Sequence, residues 1–342
     1  MHEGRVPPCW MRSSWWRELM SSTEAASPAD MTGAPVEVWR GCANAWECDH
    51  VGHLNTRYYV VRIEQSLAAL VHQLGLADFI DGAGEFRLHV KAQHMRFHRE
   101  ARAGAPLHAT GQVLSWRRDE ADVLFVLHHS ISGQVAATSR LSLAYVERAT
   151  GRSAPWPALA TRAACALTCE APREAIPKSV SLDGVEVTAS LERARQLGLR
   201  ATGLGTIMPD ACDGHGRWRL SAFMGRVADS IPHLRNGEWR EVLAETAPGG
   251  PLRVGSALVE FQAVHVRWPW AGDTCEVRSA LAGCTERVTY ASHWLLDPET
   301  GAPWAAVRTV GIALDLDARR ALPLTAEAQA AFRAASVPGL EL

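Results

Sequence analysis

The feature that most constrains the fold of this chain is an internal repeat. The pattern Cys-Asp-x-x-Gly at residues 48–52 recurs at residues 212–216, which places Asp49 and Asp213 164 residues apart. Further matches follow in the same order, pairing Tyr59 with Phe223, Arg62 with Arg226, Arg99 with Arg267, Gly104 with Gly272 and Arg140 with Arg308. Each match is weak alone, but their conserved order indicates a duplicated domain.

Both copies show the same order of helix and strand patterns. Apolar residues from Ile63 to Leu74 recur at helical spacing, and Gly75 is a suitable residue to end that helix. A similar helix begins at Phe223 and is cut short by Pro232. Alternating strand patterns follow at 86–92, 107–115, 123–131 and a strand ending at 146, then at 258–268, 274–281, 287–296 and 304–314. Each copy therefore predicts a short strand, one long helix and an antiparallel meander that covers the helix.

These patterns divide the chain into five segments. We expect a disordered leader at 1–35, a first domain at 36–150, a linker at 151–200, a second domain at 201–320 and a C-terminal tail at 321–342. The linker is rich in proline and alanine and contains a short helical pattern at 190–197. The tail carries an amphipathic helical pattern at 326–335.

Composition excludes several classes of protein. A net charge of −2 gives no electrostatic reason to bind nucleic acid or an anionic membrane surface, and no apolar run approaches the length of a membrane span. The eight cysteines form no CxxC pair, which favours reduced thiols and a cytoplasmic location. His94 and His98 lack the flanking carboxylate or cysteine that would complete a metal site, so we expect no metal.

The first repeat carries a motif that resembles a known family. Residues 46–59 read WECDHVGHLNTRYY, and Glu64 follows within the predicted helix. This resembles the signature of hotdog-fold thioesterases of the 4-hydroxybenzoyl-CoA thioesterase type, D-x-x-G-H-[VLM]-N with an aromatic residue four positions later. In the second repeat, Arg217 and Arg219 replace the histidine and the asparagine. The tandem arrangement is similar to acyl-ACP thioesterases and covers most of residues 36–318.

The resemblance implies an α+β fold of two tandem hotdog domains, each an antiparallel sheet wrapped around a central helix. It also implies hydrolysis of acyl thioesters, acyl-CoA or acyl-ACP, to a free acid and a thiol, with no cofactor. Sites of this type form between two hotdog units, and here both units lie on one chain. Whether one or two sites operate, and whether double hotdogs pair into a homodimer, stays open.

Eight residues are the expected site residues. By the resemblance, Asp49 acts as the general base or the nucleophile, His53 and Asn55 orient the thioester or water, and Glu64 is a further catalytic candidate. The expected substrate-binding residues are Gly52, Tyr59, Asp213 and Gly216. A helix N-terminus suits this chemistry because its unpaired N–H groups and partial positive charge stabilise an oxyanion.

Each assignment has a structural alternative. Asp49 and Asn55 are favoured helix N-caps, His53 can be a packed and hydrogen-bonded side chain, and Glu64 can be a solvated helix charge. Tyr59 can be a wall of the core or of the pocket. For the whole protein, the alternatives are a hotdog enoyl-thioester hydratase or dehydratase, and a non-catalytic protein that binds acyl thioesters.

Overall fold

The structure of the protein is a computed structural model. It describes residues 33–49, 51–76, 84–182, 185–234, 238–247 and 252–340. The expected leader at 1–35 lies outside the described residues, except for its last three positions.

The first repeat folds as a central helix against an antiparallel sheet. Its elements are β1 (Val36–Cys42), α1 (Thr56–Gln73), β2 (Phe86–Phe97), β3 (Pro106–Trp116), β4 (Glu120–His129) and β5 (Val135–Glu147). The predicted helix is confirmed: Asn55 caps its start, and Gly75 follows its end with a φ of 74°. Ile63 and Leu70 of α1 are fully buried, so its apolar stripe faces the sheet.

The second repeat has the same order of elements after a linker. The linker contains α2 (Ala158–Ala166) and α3 (Leu191–Gln196), and the repeat contains β6 (Arg200–Thr206), α4 (Leu220–Ser230), α5 (Glu238–Thr246), β7 (Val254–His265), β8 (Thr274–Cys284), β9 (Thr289–Leu296), β10 (Pro303–Asp315), β11 (Arg320–Leu322) and α6 (Ala326–Ala334). As predicted, the second central helix is short, and Pro232 lies in the 3-10 turn that follows it.

All these strands belong to one antiparallel sheet of the order β1-β3-β4-β5-β2-β7-β10-β9-β8-β6, with β11 paired to β10. The predicted meander is correct for β3 to β5 and wrong for β2. That strand pairs with β5 on one side and with β7 of the other repeat on the other. Hydrophobic alternation specifies which face of a strand is buried but not which neighbour it pairs with, so the sequence did not reveal this order.

The two repeats are joined at the centre of the sheet and through their helices. Residues 92–96 of β2 pair with residues 260–264 of β7. Inside the curve, α1 packs on α4, where the side chain of Arg57 lies so close to Gly225 that a Cβ there would be 2.9 Å away. The fold class predicted from the sequence, two tandem hotdogs each wrapped around a central helix, is confirmed.

The linker and the tail are packed parts of the molecule. In the linker, Val113 of β3 forms a backbone bridge with Thr168 directly after α2, a helix that the sequence reading did not identify. The predicted helix at 190–197 is confirmed as α3, whose N-cap Ser190 accepts a hydrogen bond from the Arg193 N–H. The predicted tail helix is confirmed as α6. None of the helices in the described residues is both long and apolar enough to span a membrane.

Candidate active site

The loop between β1 and α1 is organised by Asp49. Its Oδ1 accepts hydrogen bonds from the backbone N–H groups of Val51 and His53, each at 3.0 Å. Gly52 has a φ of 83° with open space where a Cβ would stand, so the turn itself requires glycine here. Among the described residues, no donor bonds Asp49 Oδ2. One carboxylate oxygen therefore holds the loop, and the other remains available to a substrate or to water.

Asn55, rather than Asp49, caps the central helix. The side-chain oxygen of Asn55 accepts the Arg57 N–H at 2.9 Å, and its carbonyl accepts the Tyr58 N–H. Within the described chain, the N–H of Thr56, the first helical residue, donates to no protein group. The start of α1 thus presents a free donor and the positive end of the helix dipole. Such a donor can stabilise an oxyanion.

His53 extends the site toward the second repeat. Its Nε2 lies 2.9 Å from Glu100 Oε2, and the same carboxylate oxygen accepts a hydrogen bond from Arg319 at 3.1 Å. Burial lowers the pKa of His53, while Glu100 opposes this shift and Arg319 reinforces it. The imidazole is therefore neutral at pH 7. Glu100 and Arg319 were not predicted, because no motif surrounds them; the only signal was the repeated arginine at position 99.

Tyr59 forms a wall of the site. Its ring packs edge-on against Phe97 with the centroids 5.1 Å apart, and its hydroxyl accepts the N–H of Ala101. Burial raises the pKa of Tyr59 to about 12. The phenol is thus a neutral, structurally engaged group.

These residues line a cavity of about 410 Å³ between the two repeats, which we call the first cavity. The first repeat contributes Asp49, His53, Asn55, Thr56, Tyr59, Phe97 and Glu100, and the second contributes residues 256–259, Ile312, Leu314, Leu316, Arg319 and Ala321. Most of the polar groups lie on the first repeat, and most of the apolar wall is on the second, which also contributes Ser256 and Arg319. Both repeats are needed to form this cavity, as the resemblance implied.

The second repeat forms a related loop with different chemistry. Asp213 Oδ1 accepts the N–H groups of His215 and Arg217 at 2.9 Å, and Gly216 has a φ of 81°. Where the first cavity has His53 facing Glu100, the guanidinium of Arg217 lies 4.9 Å from the ring centre of Trp268. This second cavity, of about 250 Å³, shares no lining residue with the first.

The structure places Glu64 in the second cavity, apart from Asp49. Desolvation raises the pKa of Glu64, while the Ser221 hydroxyl and the N–H groups of Ser221 and Leu220 favour its ionised form. These donors belong to the first turn of α4, whose N-cap Arg219 makes no side-chain capping bond. A carboxylate from α1 therefore already faces the start of α4. The eight expected residues fall into two groups, with Glu64, Asp213 and Gly216 at the second site.

Comparison with known proteins agrees with this fold. Residues 43–163 match the profile of the thioesterase-like superfamily. An acyl-ACP thioesterase from Bacteroides thetaiotaomicron VPI-5482 superposes with a TM-score of 0.58 at 12% identity, covering 84% of this chain and 100% of its own. A 12:0-ACP thioesterase from Umbellularia californica gives a TM-score of 0.59 at 12% identity, covering 82% of this chain and 94% of its own. No curated protein matches the chain.

At 12% identity, these two structures establish the architecture and leave the substrate to be argued from the site. The profile covers the first repeat, including Asp49, His53 and α1, and it stops before the second loop. The resemblance predicted from the sequence is confirmed by the tandem hotdog fold and by the match of residues 43–163 to the thioesterase-like profile. The chain is a tandem hotdog protein by its fold, and its residues 43–163 match the profile of the thioesterase-like superfamily.

Proposed function

We propose that the protein hydrolyses acyl thioesters, carried on coenzyme A or acyl carrier protein, in the first cavity. One observation carries the proposal: the free oxygen of Asp49 and the free N–H at the start of α1 line the same cavity, between two hotdogs. Nucleophilic attack on a carbonyl carbon requires two groups: a carboxylate that serves as the base or the nucleophile, and an oriented hydrogen-bond donor that stabilises the oxyanion. The superfamily match of the first repeat supports the same reaction.

The reaction follows from these positions. The thioester carbonyl oxygen points at the Thr56 N–H, where the helix dipole stabilises the developing negative charge. Asp49 either takes a proton from water, which attacks the carbonyl carbon, or attacks that carbon itself. The tetrahedral intermediate collapses, the C–S bond breaks, and the thiolate leaves. On the water route the acid forms at once, and the proton taken up by Asp49 returns to the thiolate. On the nucleophilic route an anhydride of Asp49 remains, which a water cleaves to release the acid, regenerate the carboxylate and supply the proton for the thiolate. Neutral His53 can donate a hydrogen bond to the thioester or to the water.

The first cavity is the better candidate for this chemistry than the second. In the second cavity, Glu64 faces the N–H groups of Leu220 and Ser221 that would otherwise stabilise an oxyanion. A carboxylate there also repels a developing negative charge. We therefore infer one hydrolytic site per chain.

An open depression beside the first cavity suits the carrier. It has a volume of about 580 Å³ and shares His98, Arg99, Glu100 and Arg319 with the first cavity. The side chain of Arg102, 60% exposed, also lines it. Phosphate groups are common to coenzyme A and the prosthetic arm of acyl carrier protein, and arginine binds phosphate well. We place the carrier in this depression and the acyl chain in the first cavity. The cytoplasm stays the predicted location, and homodimer formation stays a prediction.

Asp49→Asn tests the proposal. Asparagine keeps an oxygen for the loop hydrogen bonds, so the fold is retained while the negative charge is lost. We expect thiol release from acyl-CoA and acyl-ACP panels to fall by about 10²- to 10⁴-fold. The matched control is Asp213→Asn, which makes the same change in the second loop and should leave turnover within about twofold, because we infer that the second cavity hydrolyses no thioester.

Unchanged turnover in Asp49→Asn would contradict the proposal. So would water addition to an enoyl-CoA without release of free thiol, which is the signature of a hydratase. Tight acyl-CoA binding with no turnover by the unmodified protein would indicate a binding protein instead.

A further inference from the structure

The second cavity is lined by more positive than negative side chains. Arg87, Arg148, Arg217 and Arg219 line it together with only two carboxylates, Glu64 and Asp213. The Asp213 carboxylate is engaged by its own loop, and Glu64 faces the start of α4. This surplus of positive charge has no counterpart in the first cavity, where Glu100 binds Arg319.

Arg217 is the most buried of these arginines. Only 7% of its surface is exposed, and among the described residues no carboxylate lies within ion-pair distance of its guanidinium. Burial and the charges of Arg87 and Arg148 lower the pKa of Arg217 to about 10, although the nearby charge of Asp213 opposes them, so the group stays charged at neutral pH. The ring of Trp268 lies 4.9 Å from the Arg217 guanidinium, but a buried charge without a carboxylate at ion-pair distance is still costly, and an anionic ligand would relieve that cost. The Nε of Arg87, also buried, likewise has no hydrogen-bond acceptor in the described chain.

Apart from His215, the rest of the cavity is apolar. Its walls are formed by Leu67, Ala68, Val71, Leu88, Val90, Trp218, Leu220 and Trp268. The volume of about 250 Å³ is below the range of roughly 300–1,000 Å³ typical of drug-sized ligands. A small ligand with an apolar chain and one charged end fits both the walls and the arginines.

We propose that the second cavity binds a small organic anion with an apolar tail, its head on Arg217 and its tail against the tryptophan and aliphatic walls. Carboxylate and phosphate heads share the required chemistry, because the arginine fork donates two parallel hydrogen bonds to either. This site is distinct from the hydrolytic site and does not depend on it. Medium-chain fatty acids belong to this ligand class.

Calorimetry on the full chain tests the proposal with three probes of equal chain length. Octanoate and octyl phosphate are expected to bind, and their relative affinities identify the preferred head group. Octanol, which has the tail without the charge, is expected to bind at least tenfold more weakly. Equal affinity for octanol and octanoate would overturn the proposal.

Variants locate the binding. Arg217→Met, which removes the charge and keeps an unbranched chain, should weaken binding of the preferred anion at least tenfold. Ala68→Leu, which fills the cavity, should also weaken binding of this anion at least tenfold. If Arg217→Met does not fold, this second variant shows whether the anion binds in the second cavity. Arg195→Met changes an exposed arginine of α3 and should bind as the unmodified protein does. Octanoate is also a product of the proposed hydrolysis and could enter the first cavity. His53→Ala alters that cavity only, so the binding that depends on Arg217 should be retained in this variant.

Retained binding in a folded Arg217→Met or Ala68→Leu protein would overturn the second-cavity proposal. This result leaves the proposed function untouched, because thioester hydrolysis is judged separately by Asp49→Asn.

Discussion

Two residue exchanges separate the chemistry of the two cavities. His53 and Glu100 form a pair at 2.9 Å in the first cavity, and the repeat places Arg217 and Trp268 at the corresponding positions. Replacing glutamate with tryptophan removes a negative charge, and replacing histidine with arginine adds a permanent positive one. The same backbone framework therefore holds a neutral imidazole in one cavity and, in the other, a cation that has no ion pair with a described residue.

At this scale, Arg319→Met is expected to raise the pKa of His53. The positive charge of Arg319 lowers the pKa of His53, and the negative charge of Glu100 raises it. The hydrogen bond from Arg319 to Glu100 also weakens the effect of Glu100 by partly neutralising its charge. Removing the arginine strengthens the effect of Glu100. The acid limb of kcat/KM should then move to higher pH, because a larger fraction of His53 is protonated at pH 6. NMR titration of His53 measures the shift directly.

Arg320→Met is the control for this change. Its guanidinium lies near Asp315, and 72% of its side chain is exposed. The pKa of His53 should stay where it is in the unmodified protein. A His53 titration that is the same in the Arg319 and Arg320 variants would show that the second repeat does not tune the first cavity.

At the scale of elements, the important feature is how each central helix begins. Asn55 caps α1 from within its own repeat, whereas α4 lacks a side-chain cap and is faced by Glu64 of the other repeat. A self-capped helix leaves its first N–H free for a ligand. The start of α4 is covered by protein, which explains in physical terms why the duplicated helices are not functionally equivalent.

Asn55→Ala is expected to lower the free energy of unfolding by about 1 kcal/mol, the usual effect of losing an N-cap. Urea denaturation measures the change. Asn55→Asp retains an acceptor oxygen for the Arg57 N–H and should keep stability within about 0.5 kcal/mol. If Asn55 also orients the substrate through its amide, turnover falls in both variants. Stability unchanged in Asn55→Ala would show that the cap contributes nothing.

At the scale of the whole molecule, one buried cluster joins both repeats and the linker. His94 of β2 lies 2.7 Å from Glu260 of β7, and both side chains are almost fully buried. The same carboxylate accepts the N–H groups of Lys178 and Ser179 in the linker, at 2.9 and 2.8 Å. Burial alone would raise the pKa of Glu260, but the hydrogen bond from His94 and those from Lys178 and Ser179 outweigh it and lower that pKa. The folded protein therefore stabilises the ionised carboxylate.

Glu260→Ala should destabilise the fold by about 3 kcal/mol, because it leaves His94 and two backbone donors without their acceptor. The contribution of Glu260 to the free energy of unfolding also depends on pH. A carboxyl group with a lowered folded pKa stabilises the protein fully above its unfolded pKa, near 4.5, and loses that contribution as the pH falls through the folded value. Urea unfolding from pH 7 down to pH 3 should therefore show a smaller loss of stability for the variant than for the unmodified protein.

Glu286→Ala removes an exposed glutamate from the β8–β9 turn and is the matched control. Its effect should stay within about 0.5 kcal/mol at every pH. Equal stability of the two variants would mean that the central cluster does not hold the repeats together.

The sequence by itself determined the duplication, the two central helices, most strands and the loop that contains Asp49. These features are local, since hydrophobic periodicity, the Asn55 cap and the glycines at positive φ act within a few residues. The motif around Asp49 also carried the resemblance to thioesterases. Strand ends shifted by a few residues, as in β2, where pairing with β5 extends the strand to Phe97 and pairing with β7 reaches Arg96.

Only the tertiary structure decided which residues meet. Glu64 lies eight residues beyond the start of α1, which is about 12 Å along a helix, and this distance carries it to the other cavity. Glu100 and Arg319, separated by 219 positions, meet because β2 pairs with β7 across the repeats. Side-chain alternation along a strand is the same whichever strand lies beside it. Long-range pairing is therefore settled by the packing of the whole sheet, and with it the division into a first cavity fit for hydrolysis and a second lined by arginines.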